Sequence, residues 1–248
     1  MPVHIRNFEY SYIRNNKPIF VPTGIGRRIG QEIKYKVEKA HKFDDFQFHL
    51  RRGGHVAAIH SHRDGLFFAK IDIANFFYSV SRRRVQSALA RIGLDSPRFF
   101  AKWSAVKNPY GLPEFAIPYG FVQSPILASL VFYFSETANF IRSAIGDINI
   151  SVYVDDISIS SKCEISVAQA YAEINRLLPE DGFQINDQKL APPAADIVLF
   201  NCELKNQLAE VQEARIAKFF SVERSPAAEE AFAAYCASVE RGNLKSGD

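Results

Sequence analysis

The chain has 248 residues, 30 Lys+Arg against 27 Asp+Glu, and 47% hydrophobic residues. This balance excludes a disordered, collagenous or disulfide-framed chain, and Cys163, Cys202 and Cys236 are too few and too scattered for a disulfide framework or a CxxC zinc site. The charge is divided unevenly: residues 1–110 hold 20 Lys+Arg and 8 Asp+Glu, residues 111–248 hold 10 and 19, which points to a polyanion-binding surface on the first part.

The opening MPVHIRNFEY lacks the apolar core of a signal peptide, and the most apolar stretch, Ile117 to Phe134, is interrupted by Pro118, Gly120 and Pro125. A cytoplasmic protein with reduced, mostly buried thiols and no membrane partner is expected. Residues 8–13 and 18–22 flank Arg14-Asn15-Asn16-Lys17, a hairpin signal. Ile25, Ile29, Ile33 and Val37 recur every four residues and predict a helix over about 24–42. Residues 51–65 mix Gly, Arg and three histidines (His55, His60, His62) without zinc spacing, around a short helix at 55–62; these histidines are expected at the surface or facing nucleic acid.

Residues 66–73 predict a strand with Phe68, Lys70 and Asp72 on one face. Ser81 reads as the N-cap of a helix carrying Val85, Leu89 and Ile92, and Ser124-Pro125 as the start of a helix apolar nearly all round. Strands at 149–154 and 157–161 surround an Asp155-Asp156 turn. Ser166 opens a helix with Val167, Ala170, Tyr171, Ile174 and Leu177 inward; short strands follow at 183–186 and 197–203, helices at 207–220 and 227–240, and a frayed tail from Gly242 to Asp248. The order mixes hairpins with helices, which gives an α+β class with a largely antiparallel sheet.

Asp is common in turns, but paired like charges repel, and no Gly follows to supply a positive φ. Asp72 lies in an otherwise apolar strand, where an unpaired charge is expensive. A bridging cation would resolve both, and three carboxylates from two strand ends suit two Mg²⁺ ions about 3.5–4 Å apart, a device shared by polymerases, nucleases and phosphatases.

The words around these carboxylates narrow the choice. KIDIANFF (70–77), GFVQSP (120–125), YVDD (153–156) and GFQINDQK (182–189) occur in an order and spacing that resemble the palm motifs of reverse transcriptases, especially the prokaryotic retron, group II intron and defence-associated lineages. KPIFVP (17–22) and residues 51–64 resemble the preceding fingers, so the resemblance spans roughly residues 10–205. It implies a right-handed polymerase fold with fingers at 1–65, a palm at 66–204 that lends part of 82–116 to the fingers, and a short helical thumb at 205–248.

By matched position, the resemblance makes Asp72 and Asp155 the principal ligands of two Mg²⁺ ions, with Mn²⁺ as a substitute. Asp156 is a supporting carboxylate and Ile73 adds its backbone carbonyl. Lys189 approaches the leaving pyrophosphate, and Phe77 is the steric gate that selects dNTPs. Gly120 lies against the nucleotide, and Lys17, with Arg14 beside it, meets the triphosphate. Arg27, Arg28 and Tyr153 contact nucleic acid. Tyr119 stands where the family usually has Gln, and Lys17 where it has Arg, which loses bidentate geometry.

The function implied is RNA-directed DNA synthesis with an RNA template or cognate non-coding RNA, a DNA product and dNTPs, in a retron-like or antiviral defence setting. The short thumb implies a second copy or a partner subunit that completes the grip. An untemplated or protein-primed nucleotidyltransferase, and a non-catalytic RNA-binding subunit, are the alternatives.

Overall fold

The computed structural model describes residues 6–144, 146 and 148–243, so residues 244–248 of the expected tail lie outside the described residues. The chain begins with β1 (Phe8–Arg14), β2 (Lys17–Pro22), α1 (Gly24–Ala40), α2 (Gly54–Ser61), β3 (Phe67–Ala74), α3 (Phe76–Ser79), α4 (Arg82–Arg91) and α5 (Pro97–Trp103). It continues through β4 (Val106–Lys107), β5 (Phe115–Ala116), α6 (Ser124–Tyr133), α7 (Glu136–Ser143), β6 (Ile148–Tyr153), β7 (Asp156–Ser161) and α8 (Glu164–Glu180). It ends with β8 (Gln184–Ile185), β9 (Ala191–Ala194), β10 (Asp196–Leu199), β11 (Cys202–Lys205), β12 (Leu208–Val211), α9 (Glu213–Phe220) and α10 (Pro226–Glu240). Helices alternate with antiparallel pairs, as the α+β expectation requires.

Two compact units emerge: residues 1–44, 73–140 and 178–184 form the first, and 45–72, 141–177 and 185–248 the second. In the first, β1 and β2 pair antiparallel through an Asn15-Asn16 turn, both residues at positive φ, which Asn tolerates better than most residues. The buried stripe of α1 is Gly26, Gly30, Ile33 and Val37, with Ile25 left exposed. The two glycines of the stripe mark close approaches: a Cβ on Gly26 would collide with the Asn7 carbonyl, and one on Gly30 with the Gln123 side chain. Helix α6 is the apolar centre, with Ile126, Leu127, Leu130, Val131 and Phe132 all buried, each worth roughly 1.5–3 kcal/mol of burial. Its N-cap is Gln123 rather than Ser124, whose hydroxyl instead donates to the Pro118 carbonyl at 2.7 Å. Ser81 caps α4 as expected, accepting from the Arg84 amide at 3.1 Å.

The second unit holds the order β6-β7-β3-β8, with β9 also on β3. Beside it β10, β11 and β12 form a three-stranded antiparallel sheet. The inner face of that sheet (Ile197, Leu199, Cys202, Leu204, Ala209, Val211) joins Ile59, Phe68, Phe232 and Val239 in one core, and Phe219 stacks on Phe232 at 4.0 Å.

Two expectations of secondary structure fail here. The strand expected at 197–203 is two strands, broken by Phe200 and Asn201 at positive φ, and residues 208–211 are strand β12, so the helix expected from 207 begins at Glu213. A Phe-Asn turn carries no Gly or Pro signal, and LAEV alternates too briefly to announce a strand. Of the three histidines, His62 also differs from its expected surface placement, while His55 and His60 are half-buried. His62 is 1% exposed, with Nδ1 2.7 Å from Ser160 Oγ and Nε2 2.7 Å from Ser151 Oγ, so it ties β6 to β7. Burial pushes its pKa down to about 3. Of the three thiols only Cys202 is buried; Cys163 is exposed.

Candidate active site

Strand β3 delivers Asp72 directly opposite Asp156 of β7 in the antiparallel register. Paired Cα atoms in such a ladder lie roughly 4.5–5.5 Å apart, and like charges placed this way repel. Cations and amides offset the repulsion. Lys70, on the same face of β3 as Asp72, puts its Nζ 2.7 Å from Asp156 Oδ1. Lys189 Nζ donates to Asp72 Oδ2 at 3.0 Å, Asn186 Nδ2 donates to Asp72 Oδ1 at 2.9 Å, and the Asn186 amide donates to the Asp72 carbonyl at 2.9 Å. The Asp72 side chain is 4% exposed and that of Lys189 54%, so a buried carboxylate is neutralised by an ammonium reaching in from solvent.

Asp155 sits one residue before Asp156, and the turn is Val154-Asp155 rather than Asp155-Asp156. The positive φ that the sequence lacked a Gly to supply falls on Val154, at +59°. A β-branched residue there is a genuine conformational outlier. The Val154 amide donates to His49 Nδ1 at 3.1 Å, and the His49 ring stands edge-on to Tyr153 at 5.9 Å. Burial lowers the His49 pKa to about 4, with the Val152 backbone opposing the shift. Tyr153 also meets His55 at 6.1 Å and Phe200 at 5.1 Å.

Asp72, Asp155 and Asp156 therefore occupy neighbouring backbone positions, but among the described residues no group of three or more His, Cys, Asp or Glu side chains is gathered as a ready-made metal cage. The donor chemistry fits a hard divalent cation: carboxylate oxygens at two facing strand positions, their charge balanced by two ammonium groups that a metal would replace or share. Lys70, Asn186 and His49 were missed as site residues by sequence reasoning. Alternation already put Lys70 on the face of Asp72, Asn186 lay inside a quoted motif, and His49 carried no signal.

Lys17, Arg27, Arg28, Ile73, Phe77, Tyr119 and Gly120 belong to the first unit. Three of them meet: Lys17 Nζ donates to the Tyr119 hydroxyl at 3.0 Å, and the Tyr119 ring stands edge-to-face on Phe77 at 4.6 Å. Phe77 is 6% exposed, and Phe76 behind it is core, packed on Phe183 at 5.6 Å. Tyr78 also touches Tyr119, at 5.6 Å, while its own hydroxyl donates to the Pro18 carbonyl at 2.6 Å. Gly120 has an internal reason to be glycine: at φ +99° a Cβ would collide with the Phe20 carbonyl. Gly182 similarly closes α8, its amide donating to Pro179 and that of Phe183 to Leu178, a Schellman end. Arg27 and Arg28 are exposed on α1.

Among solved structures, the chain is similar to the foamy viral protease-reverse transcriptase in complex with double-stranded DNA (16% identity, TM-score 0.51, covering 87% of this chain and 32% of that one). It also aligns with telomerase from Candida albicans in complex with a telomeric RNA fragment (13% identity, TM-score 0.49, covering 73% of this chain and 36% of that one). The chain thus spans about a third of the length of these solved proteins. Among curated proteins none matches in sequence. No helix of the described residues is long and apolar enough to cross a membrane. The family described as reverse transcriptase (RNA-dependent DNA polymerase) matches over residues 13–192, which carry all four motifs and both facing carboxylates, and the chain belongs to that family.

Proposed function

We propose that this chain is an RNA-directed DNA polymerase that joins dNTPs to a 3′-hydroxyl. The observation that carries the reading is Asp72 opposite Asp156, with Asp155 on the adjoining turn, in a chain of this family. Asp72 and Asp155 would hold two Mg²⁺ ions, or Mn²⁺ in their place, with Asp156 supporting and the Ile73 carbonyl completing the set. Bound there, the ions would lower the pKa of the attacking hydroxyl and stabilise charge on the leaving oxygen. Lys189, already within hydrogen-bond reach of Asp72, would steady or protonate the departing pyrophosphate.

Phe77 would close the space under the sugar, backed by Tyr119. Lys17 would meet the triphosphate, and Arg27, Arg28 and Tyr153 would contact template or product. In this scheme residues 1–65 serve as fingers, 66–204 as palm with help from 82–116, and 205–248 as thumb. By analogy with the prokaryotic lineages that the motifs resemble, the template is a cognate non-coding RNA and the setting is cytoplasmic antiviral defence.

Tyr119 favours a second reading. Its hydroxyl is held by Lys17, and a phenol cannot reproduce the two-way hydrogen bonding of the usual carboxamide; untemplated or protein-primed addition fits that change. The test is incorporation of labelled dNTPs by purified protein with Mg²⁺ and copurifying RNA. Asp155→Ala should reduce it by about 1,000-fold or more, since several kcal/mol of transition-state stabilisation are lost. Phe77→Ala should admit rNTPs. Equal incorporation by wild type and Asp155→Ala rejects the polymerase, product without any template supports the second reading, and RNA binding without incorporation leaves a binding subunit.

A further inference from the structure

We infer that His49 is a positioning residue for the turn that carries Asp155 and Asp156. Val154 holds a backbone conformation that β-branched residues avoid, and such strain persists only where surrounding contacts over-determine it. The contacts come from residues 46–49. The Val152 amide donates to the Phe46 carbonyl at 2.8 Å, Gln47 bridges Val152 in parallel, and the chain then delivers His49 Nδ1 to the Val154 amide at 3.1 Å. This segment meets the outer edge of β6 through a single bridge and then turns in a short 3-10 helix (Phe48–Leu50) that places the His49 ring at the Val154 amide. The imidazole is held edge-on to Tyr153, so its nitrogen is fixed in direction. Without that acceptor, Val154 can relax toward negative φ, which re-aims the next two side chains, Asp155 and Asp156.

The activity arm of the test rests on the polymerase reading; the exchange arm does not. His49→Phe keeps a ring and removes the acceptor, and His49→Asn keeps an acceptor near the position of Nδ1. In His49→Phe, amide exchange at Val154 should quicken about tenfold, the loss of one net hydrogen bond. Half-saturating Mg²⁺ should rise by a similar factor while KM for dNTP stays within about twofold, a split that general destabilisation would not produce. His49→Asn should restore both, and Val154→Gly, which removes the strain, should shrink the effect of His49→Phe. If the ring misfits, His49→Ala gives the same comparison. A folded His49→Phe or His49→Ala protein with wild-type exchange and Mg²⁺ dependence overturns the assignment, as does failure of Asn to restore either. Altered exchange in a protein whose wild type incorporates nothing would remove the polymerase and leave the clamp standing.

Discussion

Two of the tight hairpins among the described residues solve one geometric problem with opposite chemistry. Between β1 and β2, Arg14 pairs with Lys17 across Asn15 and Asn16, both at positive φ. Between β6 and β7, Tyr153 pairs with Asp156 across Val154 at φ +59° and Asp155. Asn enters the left-handed region at little cost because its short polar side chain bonds locally; a valine there stores roughly 1–3 kcal/mol of strain. The first turn spends nothing on its shape and leaves Tyr10, Tyr12 and Ile13 exposed. The second is strained, braced by residues 46–49, and followed at once by the carboxylates. Of this pair, the strained turn is the one that carries Asp155 and leads into Asp156.

The largest expected difference between the two regions appears on acidification. Both histidines that brace β6 and β7 have depressed pKa values, about 3 for His62 and about 4 for His49. The folded state therefore favours neutral imidazole, while the unfolded chain takes up protons below about 6.5. Their contribution is fully present at neutral pH and is lost as pH falls through 6.5 toward 4 and 3. Together they should remove about 4 kcal/mol of stability between pH 7 and 4.5. Urea unfolding across that range measures it. A midpoint that does not move would mean that neither ring is held neutral, and the bracing of the second hairpin would lose its chemical basis.

Exchanging the turn residues should give effects of opposite sign. Asn15→Val forces a branched side chain into the left-handed region and should cost about 1–2 kcal/mol. Val154→Gly releases strain but loosens the unfolded chain, so it should stabilise by only about 1 kcal/mol. Thermal unfolding of the two variants decides, and two effects of the same sign would dissolve the contrast between the hairpins.

Much of this was legible in advance, for reasons that differ by residue. The β1–β2 hairpin could be read because Asn-Asn states its own backbone preference, and the strand of Asp72 because alternation set Lys70 and Asp72 on one face. The turn at Val154 was misplaced by one residue: two aspartates look like turn formers, and no local rule sends a valine to positive φ. Asp156 is a ladder residue for that reason, opposite Asp72. The partners of the buried groups were not legible. Asp72 signalled that it needed a cation, but that Lys189 supplies one, 117 positions along the chain, is a product of packing. His62 looked like a surface histidine because its partners, Ser151 and Ser160, reach it only when β6 and β7 pair.

The smallest effect concerns the cations already at the carboxylates, and it too separates the two hairpins. In the proposed site Lys70 and Lys189, paired with Asp156 and Asp72, would compete with a divalent ion for those carboxylates. Removing the Lys189 ammonium makes the surroundings of Asp72 more negative, so Mg²⁺ should bind more tightly to Lys189→Met than to wild type. The gain is modest because Lys189 is about half exposed and solvent screens it; about threefold in affinity is expected, from an interaction of about 1 kcal/mol or less. Thermal unfolding with and without about 10 mM Mg²⁺ reads this directly, since binding to the folded state adds RT ln(1 + [L]/Kd). The Mg²⁺-induced shift should be larger in Lys189→Met, smaller in Asp155→Asn, and unaltered by Asn15→Val, whose hairpin carries Arg14 and Lys17 and no carboxylate at its turn. If Lys189→Met shows no larger shift, the ammonium leaves Asp72 without resistance, and the pairing is a resting arrangement rather than a competitor for the metal.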